Sequence, residues 1–427
     1  MNTKNNNSVA ISLWDYSARE RAVSQEMTAD VDTDVAIVGG GFTGNSTALH
    51  LAEKGVECHV FEAEKIGYGG SGRNVGLVNP GLWLQPQRVR AKLGDDIGAR
   101  FVRLLAEAPE YVFSLIEKHN IHCEPRQNGT IHAAHSPAGF EDIRERSEEW
   151  KRLGAPVDLL SRDEAAERIG TRVFHGGLLD HRAGTINPMG YVRGLARAAQ
   201  TAGATVYTGV KVTALKRDQS KWTLETTRGR VRANRVVLGT NAYSDQLWPG
   251  LNRCFTMIHY FQCATEPLGQ EAESILPERQ GVWDTAPIMF NVRRDDYDRL
   301  LIGSMGRIVG GENGLTHRWA KRNVRRLFPQ LGPVNIQKSW YGQIAMTPDH
   351  LPRVYQLDEG LYTPIGYNGR GITPGTIFGR DLANLLTGGN SADLPIPITG
   401  FNRVASSFAM SRLYSMAFTA NQVWRSL

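Results

Sequence analysis

The run Gly39-Gly40-Gly41-Phe42-Thr43-Gly44 has the spacing GxGxxG. That spacing suits the binding of a pyrophosphate. Gly39 permits the tight turn, Gly41 lets the backbone approach the phosphates, and Gly44 allows close helix–strand packing. A helix opening at Phe42 and Thr43 points free N–H groups and its positive dipole end at the anion. Glu62, with Ala63 beside it, is placed to accept hydrogen bonds from a ribose diol. No Arg or Lys immediately follows Glu62, so a 2′-phosphate is poorly received. The bland alternative is a glycine-rich turn without a ligand. It requires the strand, helix and acid to be in place by accident.

The elements that must position these residues are readable. Residues 34–38 (DVAIV) are a short apolar run, suited to a strand buried on both faces of a parallel sheet. Residues 42–54 read as a helix with Ala48, Leu49, Leu51 and Ala52 on its apolar face, ended by Gly55. Residues 58–61 form the next strand. Such a βαβ unit binds the ADP half of a dinucleotide without choosing between nicotinamide and flavin. A second glycine-rich loop, residues 67–76 (GYGGSGRNVG), follows. It is too rich in glycine for helix or strand and suits wrapping a large flat ligand. Ser71 can donate to phosphate beside Gly72. Arg73 and Asn74 can reach phosphate or a ring edge. A flexible surface loop is the alternative.

The run GGGFTG…FEAEKIGYGGSGRN resembles the D-amino-acid oxidase/glycine oxidase/sarcosine oxidase superfamily of FAD amine oxidoreductases. It is most similar to its gamma-glutamylputrescine oxidoreductase-like branch, through the SLW segment near the N-terminus and the SGRN loop. Residues 178–199, 236–244 and 340–383 carry further matches. The resemblance implies FAD as cofactor. It places Val212 near the adenine, Gly239, Thr240 and Asn241 near the cofactor, and Gly342, Asn368, Gly369, Arg370, Gly371 and Ile372 beside the flavin. Some relatives attach flavin through a Cys at the position of Gly342, and the SGRN loop has no His, so non-covalent FAD is expected. The Lys that helps activate oxygen in monomeric sarcosine oxidases corresponds to Leu301, leaving oxygen or another electron acceptor open. A helix starting near Thr376 would aim its positive end at the loop 366–375, and Arg370 there would stabilise reduced flavin. The alternative for Arg370 is a surface salt bridge.

The reaction implied is hydride transfer from an amine α-carbon to flavin N5, giving an imine that hydrolyses. The same fold also admits 2-hydroxy acid oxidation or a non-catalytic FAD-binding subunit. Candidate catalytic residues are His259, Tyr260, Arg293 and Tyr341, with Gln262, Phe290, Asn291 and Trp83 as further pocket residues. Alternation in IHYFQ sends His259 and Phe261 to one face and Tyr260 and Gln262 to the other. Only one set can face the flavin, and the resemblance favours Tyr260. His259 on the other face would be a structural histidine. Arg293 reads either as a bidentate carboxylate clamp or as a solvated strand charge.

The composition of the 427 residues is that of an ordinary globular protein, 41% hydrophobic and 22% charged. The +6 net charge is scattered, which argues against nucleic acid as a partner. The four cysteines form no CxxC pair, which argues against a disulfide framework or a metal site and for a cytoplasmic setting. No signal peptide or membrane-spanning run is evident. Residues 1–8, polar and Asn-rich, read as disordered, and residues 12–16 as a docking segment. The expected fold class is α/β. It combines an FAD-binding Rossmann-type domain (residues 1–90, 150–245 and 335–400) with an interleaved antiparallel-sheet substrate domain (91–149 and 246–334). Residues 91–152 are expected to be mostly helical. The tail 401–427 reads as an amphipathic helix. It suits contact with a second copy, as in a homodimer, or with a membrane surface; packing on its own body is the plainer reading.

Overall fold

The structure is a computed structural model that describes residues 11–311 and 314–426. The Asn-rich segment 1–8 lies outside the described residues. Two sheets carry the architecture, so the α/β class with a parallel and an antiparallel part holds. The first sheet centres on Val31–Val38, which pairs in parallel with Cys58–Glu62 on one side and Arg230–Leu238 on the other. Thr205–Thr208 extends it beyond Cys58–Glu62, and Leu361–Ile365 extends it beyond Arg230–Leu238. Val35, Ala36 and Ile37 are fully buried because both faces of the sheet are covered: Val35 and Ile37 pack with the helix Phe42–Ala52, and Ala36 packs with Trp222 and Leu224 of the strand Lys221–Thr226. The helices Phe42–Ala52 and Ile372–Leu386 pack against one another. Gly379 makes this approach close, since a Cβ there would run into Ser46 and the Thr43 carbonyl.

The second sheet is antiparallel except for one parallel pair, Gly281–Asp284 with Thr130–Ala133. Its centre is the twelve-residue strand Thr256–Pro267, flanked by Ile336–Met346 and Arg299–Met305. The alternating segments at 258–265, 288–293 and 299–306 contribute three of its strands.

The sheets redistribute segments relative to the boundaries drawn from sequence. Those boundaries put Val157–Leu160, Gly177–Asp180 and Ile336–Met346 in the cofactor domain, yet all three pair within the antiparallel sheet. They put the long helix Asp95–Lys118 in the substrate domain, yet it packs in the core of the parallel sheet. Phe101 meets Phe378 edge to face at 6.3 Å. Pairing partners decide these memberships, and pairing is non-local. The region 91–152 is helical as expected, but the strand Thr130–Ala133 interrupts it. The helix expected from Thr376 begins at Ile372, so residues 372–375 of the glycine-rich loop are its first turn. Pro374 is tolerated there because a first-turn N–H has no intrahelical partner.

Candidate functional site

A cavity of about 520 Å³ lies between the two sheets and takes its walls from both. At the parallel-sheet end the turn at Gly39 adopts φ +106°, open to glycine alone. A Cβ at Gly44 would fall on the Gly39 carbonyl oxygen, which fixes the helix against the strand. Gly39, Gly41, Phe42 and Thr43 line the cavity; Gly44 sits behind them. The helix start carries no side-chain cap on its own turn. The Phe42 N–H instead donates to the Ser71 hydroxyl at 3.0 Å. Glu62 accepts from the N–H groups of Gly40 at 2.7 Å and Glu64 at 3.0 Å. Burial raises its carboxyl above the ordinary range, while those two N–H groups pull it back. Ala63, Val212, Gly239, Thr240 and Asn241 complete this end.

The loop after Glu62 is held from behind. Trp14 Nε1 donates to the Asn74 carbonyl at 2.9 Å, Ser12 Oγ to that of Gly72 at 2.8 Å, and Trp340 Nε1 to that of Arg73 at 2.8 Å. The docking segment expected near residue 14 is therefore a strut for the loop. Three expectations need correction. Arg73 does not border the cavity: it is buried, donates to the Tyr68 carbonyl at 2.6 Å and stacks on the Tyr68 ring at 5.0 Å. Asn74 borders the cavity, but its side chain is engaged with the loop backbone at Gly70, Ser71 and Gly76. Ser71 faces the cavity, whereas Gly72 is packed on Met189.

At the other end, Tyr260 and Gln262 face the cavity and His259 and Phe261 face away, as strand alternation requires. His259 packs near the Tyr341 ring, at 6.3 Å, and burial lowers its imidazole to about 4. Tyr341 is likewise absent from the cavity wall. Neither His259 nor Tyr341 can reach a molecule there, because both project from the opposite face of the sheet. Asn291 lines the cavity and Phe290 is core.

Arg293 is neither clamp nor solvated charge. It is 2% exposed, it donates to the carbonyls of Val75, Gly76 and Ile186 at 2.8–3.3 Å, and it lies over Trp14 at 5.4 Å. Leu301 is buried in the core; Ser304 and Met305 are the wall residues of its strand.

Gly369, Arg370, Gly371 and Ile372 border the cavity, and Asn368 does not. Asn368 braces the loop instead: Oδ1 accepts from the Thr347 N–H at 2.8 Å, and Nδ2 donates to the Gly366 carbonyl at 2.6 Å. The helix Ile372–Leu386 starts at the cavity without a side-chain cap, so its free N–H groups aim inward. Arg370 is no surface ion pair. It is buried between Trp83 and Trp283, at 4.5 and 4.7 Å, and donates to the Pro80 carbonyl at 3.2 Å. Burial lowers its pKa, while the two ring faces favour its charge. Gly342 lies directly beneath the Tyr260 hydroxyl, so a Cβ there would collide with it.

Sequence reasoning missed Asn79, Trp283, Met289 and Tyr367 on the wall. Tyr367 had a signal, since it lies in the glycine-rich loop 366–375; Asn79, Trp283 and Met289 had none.

The donor set fits a flavin dinucleotide. Glycine turns and an uncapped helix end stand at one end. At the other, the Tyr260 hydroxyl, Gln262 Oε1 and Asn291 Oδ1 are buried without a protein partner. Comparison with known families agrees: the family described as FAD dependent oxidoreductase (DAO) matches residues 34–385. The chain belongs to that family. It is 31% identical to the gamma-glutamylputrescine oxidoreductase of Escherichia coli K12, covering 88% of this chain and 89% of that protein. It is 30% identical to the probable oxidoreductase OrdL of Rhizobium meliloti, covering 88% of each. Among solved structures it superposes on glycine oxidase from Geobacillus kaustophilus with a TM-score of 0.72 at 23% identity, covering 87% of this chain and all of the other. That likeness establishes the shared fold. The cofactor of this family is FAD.

Proposed function

We propose that the protein oxidises a primary or secondary amine whose far end carries a neutral polar group, such as an amide. The observation that carries this reading is the antiparallel-sheet end of the cavity. Its polar side chains include those of Tyr260, Gln262, Asn291 and Ser304, and its one charged side chain among the described residues is Arg370. Buried polar atoms without partners select a ligand that supplies them. The amine specificity named for the Escherichia coli relative supports the reading. When bound, FAD would accept the hydride from the amine's α-carbon, leaving an imine that hydrolyses.

The chain's own residues then have distinct roles. The turn at Gly39 and Gly41, the N-terminus at Phe42 and Thr43, and Ser71 hold the pyrophosphate, and Glu62 holds the ribose. The uncapped helix start at Ile372 and the clamped guanidinium of Arg370 supply positive charge where the reduced ring becomes negative. The Tyr260 phenol, pushed well above its ordinary range by burial, stays protonated and donates. The FAD is held without a covalent bond, since the collision over Gly342 leaves no room for an attaching side chain.

Among the described residues no carboxylate or imidazole borders this end, so the amine loses its proton to water. The acceptor is oxygen or another carrier. Four free, buried cysteines accord with a reducing, cytoplasmic setting.

The test is anaerobic mixing of the holoprotein with alkyl amines, gamma-glutamyl amines, free amino acids and 2-hydroxy acids. Bleaching of the flavin should be fastest with an amide-bearing amine. Bleaching by hydroxy acids alone would overturn the reading, as would stable flavin with no reducing substrate. The pH at which reduction reaches half its limiting rate should track the amine's own pKa, rising in more basic substrates. Acid precipitation should release the flavin into the supernatant.

A further inference from the structure

The C-terminal helix Ser407–Trp424 meets the body with one face and exposes an apolar face opposite. Its inward face is anchored. Phe418 packs with Ile258, Tyr260 and Ile344 behind the cavity wall, Ser411 Oγ donates to the Met257 carbonyl at 2.6 Å, and Gln422 Nε2 donates to that of Arg307 at 3.0 Å. The face opposite carries Ala409, Leu413, Met416, Ala420, Val423 and Trp424, at steps of three and four residues, and all are exposed. Leu413 is 53%, Met416 64% and Trp424 73% exposed, and Phe408 on the flank is 69%. A water-facing helix ordinarily puts charge there. The helix holds one cation, Arg412, and no acid.

The neighbouring helix Leu315–Leu327 supplies the missing charge, and of one sign. Arg318, Lys321, Arg322, Arg325 and Arg326 are its exposed positions, and it too has no acid. The two helices touch: Thr316 Oγ1 donates to Gln422 Oε1 at 3.1 Å, and Arg326 lies within electrostatic reach of Arg425.

We propose that these two helices dock the protein on an anionic lipid surface. Leu413, Met416 and Trp424 would enter the headgroup boundary, and the basic helix would lie against the phosphates. The pairing of an aromatic-rich apolar face with adjacent cations is what interfacial binding requires. A second copy fits worse. A two-fold contact repeats the same patch on both subunits, so it would crowd two sets of cations together with no acid on either helix to answer them. The helix lies on the surface rather than crossing it, since no described helix is long and apolar enough to span a membrane. Through Phe418, docking would hold the Tyr260 end of the cavity on the bilayer side.

The test uses the full-length holoprotein in vesicle flotation. It should float with vesicles of phosphatidylglycerol and phosphatidylcholine, and should not with phosphatidylcholine alone or in high salt. Met416→Ser with Trp424→Ser should abolish flotation, as should Arg318→Glu with Lys321→Glu and Arg325→Glu. Both variants change exposed side chains only, so flavin content and amine-dependent bleaching should match the parent. Failure of the parent protein to float with anionic vesicles overturns the proposal. So does a concentration-dependent dimer in light scattering that the Met416→Ser/Trp424→Ser variant loses, because the face would then belong to a second copy.

Discussion

The two ends of the cavity are built by different means. At the parallel-sheet end, a run of six residues sets the geometry, and backbone N–H groups are the working atoms. At the antiparallel-sheet end, side chains do the work, delivered singly from Trp83, Tyr260, Gln262, Trp283, Asn291 and Arg370. The first end therefore tolerates no change where the backbone needs space. The second has one such tight position, Gly342 beneath the Tyr260 hydroxyl, but substitutions of its wall side chains should grade activity rather than abolish the protein. The contrast follows from what each end must recognise. A pyrophosphate is constant and anionic, and a helix terminus reads it without side chains. A substrate is particular, and only side chains can read it.

Gly44→Val puts the greatest strain on this contrast. Its Cβ would overlap the Gly39 carbonyl oxygen and press on Ile37, so the turn must open and the pyrophosphate site is lost. The expected outcome is protein purified without flavin, read from its absorbance spectrum. Gly55→Ala is the control. Gly55 has a positive φ, +73°, which Gly44 does not, but a Cβ there meets nothing. It should cost about 1–2 kcal/mol and keep its flavin. Flavin retained at parental levels in Gly44→Val would show that the close helix–strand approach is not what builds the site.

Arg293→Met comes next and tests which end a buried charge serves. Removing the guanidinium orphans the carbonyls of Val75 and Ile186 and leaves that of Gly76 to the Ile186 N–H alone. About 3–5 kcal/mol of stability should be lost, seen as an earlier denaturant midpoint. The folded enzyme should keep its KM, because Arg293 ties the flavin loop to the substrate sheet without touching the cavity. A raised KM with unchanged stability would restore the carboxylate clamp.

The same contrast explains what was legible in the sequence. The turn, Glu62 and the two glycine-rich loops were readable because their chemistry is local. Alternation in IHYFQ correctly separated Tyr260 and Gln262 from His259, since strand period is also local. Arg293 misled, because a charged residue on a strand gives no hint that three carbonyls from residues 75, 76 and 186 converge on it. Arg73 misled for the related reason that a cation in a glycine-rich loop can hold the loop rather than the ligand. The boundaries between the two parts failed where strands at 157–160, 177–180 and 336–346 joined a sheet whose other members lie far along the chain.

Gln262→Leu should have a smaller, graded effect. The amide borders the cavity, and its Oε1 has no protein partner. Loss of a hydrogen bond to substrate should lower kcat/KM by roughly 10–100-fold, about 1.5–3 kcal/mol, with flavin content and stability near the parent's. A variant that loses flavin instead would place this residue at the cofactor.

The smallest effect on catalysis is expected at His259, the residue whose chemistry looks most useful. Its imidazole faces away from the cavity, and burial and the nearby Arg307 lower it to about 4. It is therefore neutral through the working range and out of reach of the amine. His259→Gln should leave kcat, KM and the pH profile of flavin reduction within about twofold, since substitutions that touch no reacting atom leave transition-state binding intact. The pH signature should appear in stability instead. The folded state binds the imidazole's proton less readily than the unfolded chain does, so its contribution to stability is complete above about 6.5 and is lost as pH falls towards about 4. The Gln variant should lack that component, and its denaturant midpoint should fall less between pH 7 and pH 5 than the parent's, by an amount on the order of 1 kcal/mol. A shift in the acid limb of the reduction profile would instead bring His259 onto the reacting face and reverse the assignment of that strand.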